Sequence, residues 1–396
     1  MAQEFLDFIL ALVIVIVAAK LGGYISYRFR QPSVLGELLA GLILGPTVFD
    51  MLHTLPLFHE PEILAESLTM LAELGVILLM LLAGLELHLD ELLSSGKVAA
   101  LAGVLGVVVP LGMGYGTALF FGAEQTEALF IALTLSATSV SISAQTLMEL
   151  QVLRSRVGLG LLGAAVFDDI LVILLLSVSF VLVGGAAGGL GSVLTTILGM
   201  VVYLIVAIVL GFWLLPRLAV WVSKLPISQR MIAFVLVITL LYAWAAEVIG
   251  GMAAITGAFL VGLFLARTPF RDEIEQGISA MAYGFFVPIF FVNIGLEVNM
   301  RAIGGDVLWF AIAITVVAVI SKIVGSGAGA LLGGFSAKES WQLGVGMVSR
   351  GEVGLIVSSF ALTEGLLSQT NFSIAVFMVI IATLVTPPML RASFKA

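Results

Sequence analysis

Thirteen apolar runs of about 17–28 residues, each followed by a short polar gap, fill the chain from near residue 5 to near residue 391. Each run matches the ~20 residues a helix needs to cross ~30 Å of hydrocarbon. Backbone facing lipid must satisfy its own hydrogen bonds, which a helix does internally. The expected fold class is therefore an all-α integral membrane protein with about 13 transmembrane helices, at 5–27, 32–48, 65–86, 97–121, 128–149, 157–183, 192–217, 229–249, 252–267, 275–297, 307–333, 339–364 and 371–391. Composition agrees, because 61% of residues are apolar and 11% charged, against roughly 45–50% and 25% in soluble domains. A membrane β-barrel would instead show alternating segments of about ten residues, and none is present.

An odd helix number puts the termini on opposite sides. With the N-terminus outside, thirteen of the seventeen Lys and Arg fall in inner loops or the inner tail. Only Arg301 falls outside, while Lys20, Lys322 and Arg350 lie within spans. That bias fixes a cytoplasmic C-terminus, in an inner membrane of prokaryotic type or an organellar one. The opening MAQEFLDF carries two acids and no base, so the first span is expected to stay in the mature protein. The absence of cysteine excludes disulfides and thiolate metal sites. No gap between spans exceeds about 20 residues, which leaves no room for a catalytic, nucleotide-binding or nucleic-acid-binding domain. No cofactor is expected. His53, His59 and His88 lie too far apart for a metal site and read as solvated loop residues, and GGAAGGLG at 184–191 reads as a linker.

The chain echoes itself. LGELLAGLILGPT from Leu35 aligns with TGAFLVGLFLART from Thr256 at an offset of 221, and Gly84-Leu85-Glu86 recurs as Gly295-Leu296-Glu297 at 211. The offsets shift the pattern by seven spans, an odd number, so the halves enter the membrane from opposite sides. Inverted repeats of this kind build many secondary transporters, with the substrate site where interrupted helices meet near the midplane.

The fifth and twelfth spans are repeat partners, and polar residues interrupt both, as SATSVSIS from Ser136 and SRGEVG from Ser349. Unwound backbone, tolerated at depth only where it lines a cavity, would offer carbonyls around Thr138 and Ser139 to a cation. The alternative is that these hydroxyls only bond back to the preceding turn. Asp168 and Asp169 lie about twelve residues into the sixth span, roughly 18 Å deep at 1.5 Å per residue. Each acid there costs roughly 2.5–3.5 kcal/mol even on lenient scales, so an idle pair is not expected. Consecutive residues point about 100° apart, so the two acids have different partners. Lys322, also near mid-depth, suits one of them, on a helix where Gly325, Gly329 and Gly333 permit close packing. Arg350 and Glu352 are expected to support the broken twelfth span by pairing with each other or with Glu149.

A carboxylate in low dielectric holds a proton readily, and a dehydrated alkali cation satisfies the same oxygens. Proton and cation compete for such a site, and alternating exposure to the two sides exchanges them. A channel would use the same acids without alternating access. An intramembrane aspartyl protease would need its acids on facing helices, whereas these are adjacent on one.

AAVFDDI at 164–170, SATSVS at 136–141, GMVSRGEVGLI at 346–356, ISKIVGSG at 320–327 and QPSVLGELLAG at 31–41 together resemble cation:proton antiporter family 2 of the monovalent cation:proton antiporter superfamily. The resemblance runs over essentially the whole chain. It implies a sodium:proton antiporter, with lithium or potassium as alternative ions, working as a homodimer with an elevator-like core. Carried over, dimerisation-domain helices fill 1–96 and 229–304, core helices fill 97–184 and 305–396, and 185–228 links them. Asp169 matches the ion-binding acid, Asp168 the acid that bridges to a lysine, here Lys322, and Thr138 and Ser139 the unwound crossover. Asp at 168, where electroneutral relatives carry Asn and potassium-efflux relatives Gln, implies electrogenic exchange.

Overall fold

The computed structural model describes residues 3–29, 31, 33–85, 96–183, 189–252, 254–297, 301 and 307–395, and every regular element among them is helical. The first group of helices comprises α1 (Gln3–Arg28), α2 (Ser33–Leu44), the single turn α3 (Met51–Thr54) and α4 (Pro61–Leu85). Next come α5 (Gly96–Phe120), α6 (Gln125–Ser136), α7 (Val140–Glu149), α8 (Arg156–Leu182), α9 (Gly189–Trp213) and α10 (Leu215–Val222). The second half holds α11 (Arg230–Val248), α12 (Ala254–Leu265), α13 (Arg271–Met281), a π-helical turn (Ala282–Phe286) and α14 (Val287–Leu296). It ends with α15 (Leu308–Gly333), α16 (Ala337–Gly346), α17 (Glu352–Thr363) and α18 (Gln369–Lys395).

All thirteen expected segments are helical, but they are not thirteen uniform rods. Among the described residues nine helices are long and apolar enough to cross a bilayer, and α9 with α10 makes a tenth, bent by 43° at Leu214. Pro216, in the first turn of α10, suits a helix start, which the expected unbroken run to 217 overlooked. α2 and α12 are only 12 residues long, about 18 Å at 1.5 Å per residue, too short to cross alone. The fifth span splits into α6 and α7 and the twelfth into α16 and α17, as the polar interruptions implied.

Large apolar side chains stay exposed on the outer faces, among them Val13, Val17 and Leu21 on α1 and Leu240, Leu241 and Trp244 on α11. Lipid accepts such faces; water would not. Close helix contacts instead rely on small residues. α4 crosses α12 where Gly84 and Gly262 abut, and α2 crosses α14 where Gly41 and Gly295 abut, each so close that a Cβ would strike the opposite backbone. Gly41 and Gly262 are partners at an offset of 221, and Gly84 and Gly295 at 211, so the sequence echo marks two equivalent crossings. α5 packs along α15 in the same way, with Gly325 and Gly329 against the carbonyls of Leu105 and Leu101.

Candidate functional site

The site forms where α5, α8 and α15 meet the two broken spans. After Ser136 the chain runs extended through Ala137 (φ −62°, ψ 144°) and Ser139 (φ −95°, ψ 110°) before α7 begins. α16 ends at Gly346 and α17 resumes at Glu352. The interruptions clasp each other, since Ser139 N donates to Ser349 O at 2.9 Å and the Ser349 hydroxyl donates to Ser139 O at 2.5 Å. Ser143 reaches across with its hydroxyl 2.5 Å from Gly346 O and 2.9 Å from Ser349 Oγ. Thr134 and Ser136 do bond back to the preceding turn, at Phe130 O and Ala132 O. The alternative reading of the hydroxyls therefore holds inside α6, and crossing contacts take over in the break.

Asp168 and Asp169 point apart as helical geometry requires. Asp168 is fully buried and takes the ammonium of Lys322, itself fully buried. Lys322 Nζ also donates to Gly106 O at 2.6 Å. That carbonyl is free because Pro110, four residues on inside α5, has no N–H to offer it. Mid-helix Pro110 was the signal for this partner, and sequence reasoning passed over it. Thr138 stands beside the Asp168 carboxylate, but no well-formed hydrogen bond joins them, so Thr138 Oγ1 and Asp168 Oδ2 are incompletely satisfied. Asp169, 5% exposed, faces the other way and borders a small cavity between α8 and the pair α4 and α12.

Arg350 departs from expectation. It is fully buried and binds carbonyls, donating to Met347, Val348 and Ser349 at 3.1, 2.7 and 3.3 Å and to Ala318 of α15 at 3.1 Å. A guanidinium presents five donors in a fork, which suits the carbonyls orphaned where α16 ends. Glu149 is engaged elsewhere: its carboxylate takes the backbone N–H and hydroxyl of Ser33, capping α2, and Gln145 Nε2 at 3.0 Å. It lies at the end of α7, away from the break, so the expected pairing with Arg350 does not form. The Glu352 side chain, His88 and residues 184–188 of the glycine-rich stretch lie outside the described residues, and Gly189–Gly191 already belong to α9. His53 and His59 are exposed, as expected of loop residues, and their Nδ1 atoms also lie 2.7 Å from Asp50 and 2.9 Å from Asp7.

Two broken helices clasped inside the bundle, beside buried acids answered by one lysine, define the class: a secondary transporter that carries cations and protons through a multi-pass membrane fold. Residues 12–396 match the family described as sodium/hydrogen exchanger, transmembrane. The chain is 40% identical to the Na(+)/H(+)-K(+) antiporter GerN of Bacillus cereus, over 98% of this chain and 97% of that one. It is 34% identical to a Na(+)/H(+) antiporter of Enterococcus hirae, over 98% of each. The fold is similar to that of the sodium proton antiporter MjNhaP1 from Methanocaldococcus jannaschii, with a TM-score of 0.69 at 18% identity over 99% of this chain and 97% of that one. The chain belongs to the sodium/hydrogen exchanger family and is a monovalent cation/proton antiporter. The superfamily expected from the motifs holds, whereas the narrower family 2 label does not carry over.

Proposed function

We propose that the chain exchanges sodium for protons at Asp169 by alternating access, in an electrogenic cycle. The observation that carries this is the division of the acids: Asp168 is tied to Lys322 inside the bundle, and Asp169 faces a cavity. The incompletely satisfied Thr138 hydroxyl and Asp168 Oδ2, side by side, add oxygens that a cation or a proton would satisfy. Sodium is favoured by the names of the relatives, and the potassium in the Bacillus cereus name makes potassium the comparison to run beside it.

Charge counting states what the electrogenic form requires. Asp168, Asp169, Lys322 and Arg350 sum to zero when all are ionised, and one sodium or one proton each raises the sum to +1. A one-for-one swap moves no net charge. Electrogenic exchange therefore needs a second proton, and the Asp168–Lys322 pair is placed to carry it.

In this proposal α5–α8 and α15–α18 form the moving core (97–184 and 305–396). α1–α4 and α11–α14 form the dimerisation domain (1–96 and 229–304), with 185–228 linking them. The packing of α5 on α15 and of α4 on α12 supports the division, and the exposed apolar faces of α1 and α11 support burial in lipid or against a second copy. The N-terminus is placed outside on the charge bias of the loops.

The test is a proteoliposome assay in which sodium, lithium or potassium is added to an imposed proton gradient, with and without a clamped membrane potential. Wild type should dissipate the gradient with sodium, faster when the potential is clamped. If a folded Asp169→Asn protein dissipates it as fast, the site is elsewhere.

A further inference from the structure

The cavity at Asp169 has two walls. Val140 of α7 and Leu162 of α8 stand on the side of the carboxylate, and Met80 of α4 with Ile255, Thr256 and Phe259 of α12 stand opposite. Its volume is ≈ 10 Å³, room for about one water-sized particle. Among the described residues, Asp169 and Thr256 are the polar residues that line it.

Thr256 is 5% exposed. Some buried threonines bond back along their helices, as Thr146 does to Ile142 O at 2.8 Å and Thr315 to Ala311 O at 2.7 Å, whereas Thr239 of α11 does not. The Thr256 hydroxyl has no such partner among the described residues. Unlike the enclosed hydroxyl of Thr239, it is not sealed inside the protein but opens on the cavity, where an entering species can supply its partner. The wall that holds it is fixed on both sides. Gly257 abuts the Tyr242 carbonyl of α11, and Gly262 abuts Gly84 of α4, so α12 cannot withdraw without separating backbones in contact.

We propose that the Thr256 hydroxyl is a ligand for the transported cation, supplied from the wall opposite Asp169, and that it helps set which alkali cation is accepted. The proposal rests on Asp169 being the exchange site. The hydroxyl offers a neutral oxygen lone pair, and a site for one particle between a carboxylate and a fixed hydroxyl discriminates by ionic size. The cation binds as its hydration shell is replaced, so no covalent step is involved.

The experiment measures half-saturating sodium, lithium and potassium concentrations for proton exchange in proteoliposomes containing wild type, Thr256→Val, Thr256→Ser and Asp169→Asn. Thr256→Val keeps the shape and removes the hydroxyl. It should raise the half-saturating concentration about tenfold for the preferred cation and by unequal factors for the others, while Thr256→Ser stays within about twofold of wild type. Unchanged half-saturation for all three cations, or a change by one common factor, overturns the proposal. If Thr256→Val does not fold, Thr256→Ala, which only deletes atoms, is measured against the same criteria. Wild-type exchange by Asp169→Asn would instead sink the underlying site assignment, whatever Thr256→Val does.

Discussion

Replacing Pro110 with Ala should separate stability from transport. Proline inside a helix costs ~3 kcal/mol relative to alanine, so P110A should melt at or above the wild-type temperature in detergent. The restored N–H would point at Gly106 O, which lies 2.6 Å from Lys322 Nζ. A hydrogen bond to a charged group contributes ~1.5–3 kcal/mol, but a carbonyl has two lone pairs and can serve both donors. Only part of the bond is then lost, about 1 kcal/mol, or roughly fivefold in an equilibrium. With Lys322 less firmly held, Asp168 and the adjoining site are less well ordered, and the half-saturating cation concentration should rise by about that factor. Proteoliposome exchange at several cation concentrations, paired with a thermal melt of the same preparation, measures both. Unchanged half-saturation in a P110A protein that melts no lower than wild type would refute the role given to the freed carbonyl.

Removing one partner of the buried Asp168–Lys322 pair should be far worse than removing both. Lys322→Met alone leaves an uncompensated acid and should cost ~3–5 kcal/mol, whereas Asp168→Asn with Lys322→Met should recover at least ~1 kcal/mol beyond additivity in chemical unfolding. Strict additivity would mean that the pair does not interact. Arg350→Lys keeps the charge but loses the fork that reaches four carbonyls, and should lower stability by ~2–3 kcal/mol for the bonds it cannot remake. Stability within ~0.5 kcal/mol of wild type would show that those carbonyls need no guanidinium.

The all-helical membrane fold, the two interruptions and the Asp168–Lys322 pair were legible because lipid makes each conspicuous: apolar length, polar residues at depth and unmatched charge are all visible along the chain. The glycine echo was legible because a backbone crossing tolerates no Cβ. What escaped depends on where side chains point in three dimensions. Arg350 could be paired with any nearby acid on paper, but at the end of α16 the nearest bare acceptors are carbonyls, which no composition rule weighs. Glu149 was tied to the break by proximity in sequence, yet α7 carries it ten residues away, to the start of α2. Thr256 carried no sequence signal, since a threonine in an apolar helix ordinarily bonds to its own backbone.

The meeting of the two interruptions also has an electrostatic character of its own. Four half-helix termini converge there, the C-terminal ends of α6 and α16 and the N-terminal ends of α7 and α17. Each carries about half an elementary charge, negative for the former and positive for the latter. Two of each sign cancel as a monopole, and the crossed arrangement leaves a field of quadrupolar kind that dies away within a few ångströms. An ion approaching along the seam senses almost nothing of the broken helices until it is in contact with them. Attraction at a distance is thus left to the ionised side chains at the crossing, and in the proposed cycle a change in the ionisation of Asp169 shifts their sum by one whole charge, more than the broken helices contribute.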